Sequence, residues 1–166
     1  MNTQFVRHIP VLVAVAVLLA GCSSVASSDA GSAGKPLQLR LVISSAEGAC
    51  SAPALTSDGP ASACDSAGTT TYELGKSLGT ITPTTVTLSA EQGSTHSVVL
   101  ELNKADTDTL GNVSGKAIDK NLAIILDGRV LSAPLVKAPI TTSPLTLGFG
   151  TASKAKQTAA DLSATP

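Results

Sequence analysis

Residues 122–133, LAIILDGRVLSA, put an Asp-Gly pair between two apolar runs. A two-residue type I′ turn needs positive φ at both central positions, and Asp-Gly is among the pairs that tolerate it. Asp127 and Gly128 are therefore read as the turn of a β-hairpin. The first run, Leu122–Leu126, is apolar at every position. Side chains alternate between the two faces of a strand, so both faces here must be covered. Ile124 and Ile125 are expected to be buried on opposite sides of a central strand. Pro134, which cannot donate to a ladder, is expected with Pro139 to limit pairing beyond the second arm.

The remaining periodicity supplies the other elements. Leu37, Leu39, Leu41 and Ile43 alternate with Gln38, Arg40, Val42 and Ser44, which reads as a strand with one buried face. Tyr72–Gly75 and Val86–Leu88 read as short extended pieces, and His96–Leu102 as a stronger strand. Asn103 is a good N-cap, with Asp106 near the positive helix end, so a short helix is expected through about Leu110, stopping at Gly111. Leu145, Leu147 and Phe149 alternate as a last strand. Thr151 then caps a helix over Ala152–Ser163, with Ala155, Ala159 and Leu162 on one face. The expected fold class is α+β, with two helices packed on a mainly antiparallel sheet.

The N-terminus reads as an export signal. Arg7 and His8 precede the apolar run Ile9–Ala20, which is too short for a span that needs about 20 helical residues. Leu19-Ala20-Gly21-Cys22 matches a bacterial lipobox: a branched apolar residue, two small residues and a cysteine. The thiol of Cys22 would accept diacylglycerol, and small neighbours would admit the signal peptidase. Its new amino group could then take a further acyl chain such as palmitate. Two or three chains, at about 0.8 kcal/mol per buried methylene, make a stable anchor. The alternative is a plain signal peptide ending near a cysteine. The expected organisation is a signal over 1–21, lipidated Cys22 with a Ser/Ala/Gly-rich spacer over 22–36, and an α+β domain over 37–163. The body would stand on the outer face of a bacterial cell membrane.

In that oxidising setting the other two cysteines, Cys50 and Cys64, are expected to form a disulfide. They enclose SAPALTSDGPASA, a stretch without periodicity that a staple would stabilise by roughly 3 kcal/mol. Metal binding is the competing use. It needs more ligands, and His96 is the only histidine after Cys22. The formal net charge is −1, with no basic footprint for nucleic acid. Tyr72 and Phe149 are the only aromatics beyond the signal and there is no Trp, so bases or sugars have no stacking platform.

The stretch LAIILDGRVLSAPLVKAPI, Leu122–Ile140, resembles a segment of the protein-export translocase subunit SecD. YELG at Tyr72–Gly75 resembles a Y-x-LG element of the same region. VVLELNKADTDTL, Val98–Leu110, is similar to the strand and helix between them, and LRLVIS, Leu39–Ser44, to the opening strand. Together these residues resemble the head subdomain of the first extracytoplasmic domain of SecD, across about Leu37–Leu162. The pattern departs at Ser143-Pro144, where the family carries a glycine, and in the Cys50–Cys64 loop. The resemblance implies the fold and a surface that touches extended polypeptide leaving the export channel. It does not carry over the proton-driven motor, which lies in membrane helices that this sequence does not show.

Motifs for other chemistry fail on inspection. Asp106-x-Asp108 starts a calcium loop, but Ala117 stands where its bidentate Glu belongs. Gly75-Lys76-Ser77 ends like a phosphate loop, but Thr70 replaces the first glycine. Ser32-x-x-Lys35 fits a β-lactamase motif but sits in the spacer with no K-T-G after it. Asn112-Val-Ser114 is a sequon with little use in a bacterial lipoprotein. No nucleophile and base can be paired, so no catalytic residue, metal or cofactor is expected. Two functions fit: a membrane-tethered module contacting unfolded secretory polypeptide or the export machinery, or a structural envelope lipoprotein without an export role.

Overall fold

The computed structural model describes residues 33–89 and 96–163. The segment expected to be a signal, Cys22 and most of the expected spacer lie outside them. Eight strands and two helices are described: β1 (Leu37–Glu47), β2 (Ala61–Cys64), β3 (Thr70–Ile81), β4 (Thr85–Ser89), β5 (His96–Glu101), α1 (Lys104–Lys116), β6 (Leu122–Leu126), β7 (Arg129–Ser132), β8 (Leu145–Phe149) and α2 (Ala152–Ser163). They form a five-stranded sheet, β2-β3-β1-β6-β7, and a three-stranded sheet, β4-β5-β8. Every pairing between these strands is antiparallel.

All five residues of β6 are buried. Leu122, Ile124 and Leu126 join the main core, which includes Leu37 and Leu39 of β1, Leu110 and Val113 of α1, Leu147 of β8 and Leu162 of α2. Ala123 and Ile125 face a second, smaller core with Ala63, Leu74 and Val130. Ile124 and Ile125 thus point to opposite sides, as the unbroken apolar run requires. The turn has φ of 48° at Asp127 and 76° at Gly128, the sign that a type I′ hairpin needs at both positions. A register shift beyond Ile125 leaves Leu131 bulged between Val130 and Ser132.

Pro134 does not end the pairing. A proline lacks an N–H but keeps its carbonyl, and that of Pro134 accepts from the N–H of Leu122 at 3.0 Å. Beyond it Val136 donates to the carbonyl of Lys120 at 3.0 Å.

The first strand is covered on both faces near its start, and three register irregularities interrupt its pairing with β3. Leu37, Leu39 and Leu41 meet the main core, while Arg40 on the opposite face is fully buried beneath the Ser57 and Gly59 carbonyls; Ile43, further along, is 70% exposed. β3 is twelve residues long instead of a short piece, because β1 pairs along it from Thr70 to Ile81 and β2 pairs with Thr71–Leu74 on its other edge. β2 was not expected from its small residues, yet it pairs with Thr71–Leu74 and buries Ala63 and Cys64.

Asn103 caps α1 as expected, accepting from the N–H of Asp106 at 2.9 Å. The helix runs past Gly111 to Lys116, because Leu110, Val113 and Ser114 form a buried face worth continuing. Gly111 serves a close approach, since a Cβ there would lie 3.3 Å from the Thr141 methyl. Ser114 ties that crossing segment down by accepting from the N–H of Ile140 at 2.8 Å. Thr151 caps α2 through the N–H of Lys154 at 3.2 Å. The α2 face buries Ala155, Thr158 and Leu162, with Ala159 half-buried beside them.

The folded body starts before Leu37. Gly34 donates to the carbonyl of Pro83 at 2.9 Å and Lys35 to that of Leu162 at 2.8 Å. Composition assigned both residues to the spacer, which has no periodicity to reveal such contacts.

Candidate binding groove

The two edges of the five-stranded sheet meet. Just past β2, Asp65 bridges Val130 of β7 in parallel, and Ser66 donates to the Val130 carbonyl at 3.1 Å. This curls the sheet around the smaller core and protects edges that would otherwise be open. The turn that makes the junction is held by one carboxylate. Asp65 accepts from the N–H of Thr69 at 2.7 Å, its hydroxyl at 2.9 Å and the N–H of Thr70 at 3.1 Å. Burial pushes the Asp65 carboxyl up, but these three donors and the nearby Lys154 charge outweigh it and hold the group below its ordinary value. Burial, with the Asp65 charge adding to it, raises the Tyr72 hydroxyl.

The Cys50–Cys64 disulfide sits directly beneath this turn. Cys50 donates to the carbonyl of Gly68 at 2.9 Å and Gly48 to that of Thr69 at 2.9 Å. The loop enclosed by the disulfide folds back over the smaller core, where Leu55 packs. Arg40 secures it from below: its guanidinium donates to the carbonyls of Ser57, Gly59 and Gly75. Burial lowers the Arg40 value, and the charge of Asp58 opposes that. Gln38 completes the anchor, accepting from Arg40 and donating to Asp58, each at 2.8 Å.

Between this junction, the β6–β7 hairpin and α2 lies a groove of about 490 Å³. Leu126, Leu131 and Ala67 give it apolar surface, while Lys35, Arg129 and Lys154 add cations and Asp127 and Asp161 add carboxylates. The volume is in the range of small-ligand sites. Lys35 and Asp127 pair with each other at 2.9 Å. Arg129, Lys154 and Asp161 are in no ion pair among the described residues.

Of the residues singled out from sequence, Asp127 lines the groove, Gly128 closes the turn beside it, and Cys50–Cys64 buttresses its far wall. Pro134 lies away from it, beyond the second hairpin arm. Cys22 is outside the described residues. Arg129, Lys154 and Lys35 were missed. The spacing of Lys154, Gln157 and Asp161 on one helix face was visible, but what that face looks onto was not. Asp106 and Asp108 are engaged by Asn103 and Lys104 at 2.7 Å each. No group of three His, Cys, Asp or Glu side chains suited to a metal occurs among the described residues. No helix among them is long and apolar enough to cross a membrane.

The family model of the SecDF P1 head subdomain matches residues 74–166, more than half of the chain. The chain belongs to that family. The SecDF P1 head match begins at Leu74 on β3, so β1, β2 and the disulfide loop precede it. Among solved structures, a membrane component SecDF that enhances protein export superposes with a TM-score of 0.53 at 22% identity, covering 77% of this chain and 61% of that one. SecDF in a super-membrane-facing form gives a TM-score of 0.52 at 22% identity, covering 77% of this chain and 18% of that one. These likenesses establish the fold. The chain spans less than two thirds of either SecDF chain it matches. No match was found among curated proteins.

Proposed function

We propose that this chain is an extracytoplasmic lipoprotein whose SecDF-head domain contacts unfolded polypeptide and so assists protein export or folding. The groove between the hairpin and α2 carries the reading. It joins apolar patches to a charged rim, a combination that suits binding of a partly apolar chain. The family adds the connection to export, because a SecDF relative is described as enhancing it. In this reading residues 1–21 are a signal, Cys22 carries the lipid, a spacer follows and the domain stands outside the membrane.

A small groove with aliphatic walls and no aromatic anchor gives shallow contacts, so affinity should be micromolar or weaker. Titrating a permanently unfolded secretory protein against the full chain in detergent should shift NMR signals of Leu126, Leu131 and the α2 face. A folded version of the same protein should not. If millimolar unfolded polypeptide shifts nothing while the fold is intact, an envelope-structural role takes its place.

A further inference from the structure

The charges around the groove are not evenly spread. Lys35 donates its main-chain N–H to Leu162, so the Lys35–Asp127 pair lies toward the C-terminal part of α2, where Asp161 also lines the groove. That end holds one cation and two carboxylates. Arg129, paired with Leu126 across the turn, leads from there to Val130, whose carbonyl holds Ser66 of the junction at the other end. Lys154 is close enough to that junction for Asp65 to feel its charge. Asp65 offsets one of these two cations, and with its oxygens engaged by Thr69 and Thr70 the junction end keeps a net positive charge. Lys154 and Asp161 are seven residues apart on one helix, about 10 Å along its axis.

The groove is therefore polarised. Its cationic end also faces the first turn of α2, where Ser153 lines the wall and the helix dipole adds partial positive charge. Thr158, 4% exposed, lines the groove between the two ends. Arg129 and Lys154 are both exposed, so a ligand can reach them without rearrangement.

We infer that this groove selects carboxylate-bearing side chains of extended polypeptide, held by Arg129 and Lys154 at the N-terminal end of α2. The inference rests on the reading that the groove contacts unfolded polypeptide, and it names which segments are preferred. A bound Asp or Glu side chain would meet a guanidinium and an ammonium there, while Asp161 would repel a second acid at the far end. Removing the Asp127 carboxylate would release Lys35 from its pair and add to the attraction.

Two dye-labelled unfolded peptides of equal length and apolar content, one with two Glu and the other with two Lys at the same sites, test this by fluorescence anisotropy on the full chain in detergent. The Glu peptide should bind about fivefold tighter at low salt, and the gap should shrink as salt screens it. Arg129→Glu with Lys154→Glu should reverse the order, and the milder Arg129→Gln with Lys154→Gln should abolish it. Asp127→Asn should widen it. Equal binding of both peptides overturns the selectivity and leaves polypeptide contact standing. Binding of neither overturns that contact as well.

Discussion

The main-chain N–H of Leu55 donates to the carbonyl of Gly128 at 3.0 Å, laying the disulfide-closed loop across the tip of the β6–β7 hairpin. A Cβ at position 128 would stand 2.4 Å from that same nitrogen. Gly128 thus answers two demands at once, a positive φ and a backbone packed against it.

Gly128→Ala should destabilise the domain by about 3 kcal/mol or more, since it adds left-handed strain to a backbone clash. Asp127→Asn should cost less than about 1 kcal/mol, because Asn accepts the same φ and only a partly exposed ion pair is lost. Urea unfolding of the two variants checks both values. Similar losses would mean the Leu55 contact is not what makes the turn sensitive.

Arg40→Met should cost about 3 kcal/mol by leaving the carbonyls of Ser57, Gly59 and Gly75 without a donor. Arg40→Lys should recover little, because one ammonium cannot span carbonyls that a planar fork reaches together. Hydrogen exchange should show lost protection at the N–H of Leu55 and of Ser77, which donates to Asp58 at 2.8 Å. Unchanged protection at both would show that the loop holds without Arg40.

Asp65 should make the fold sensitive to acid. Its carboxyl is held below the ordinary value, which is about 3.9 in an unfolded chain. A depressed carboxyl stabilises fully above the unfolded value, and the contribution is lost as pH falls through the folded one. Asp65→Asn should therefore lower Tm by a constant amount from neutral pH to about 5, with the gap closing below about 4. A gap that widens toward acid would contradict this.

Cys22→Ala should leave an uncleaved, unlipidated precursor in cells, since lipid transfer precedes cleavage at a lipobox. Palmitate labelling should mark the wild-type chain alone. Normal trimming and release of the variant would show a plain secretory signal.

The sequence by itself determined what local chemistry dictates. The Asp127–Gly128 turn, the two-sided burial of β6, the Asn103 and Thr151 caps and the α+β class were all readable, because each depends on neighbours in the chain or on strict periodicity. The disulfide was readable from compartment and loop composition. Only the tertiary structure decided that Arg40 is buried, since the loop that covers its face has no periodicity to show where it folds back. It also decided the length of α1, where Gly111 makes room for Thr141, and the pairing of β2, whose small side chains carry no pattern. The groove belongs to this second group: Lys35, Arg129 and Lys154 are far apart in the chain, and the closure of β2 onto β7 with α2 alongside puts them on one surface.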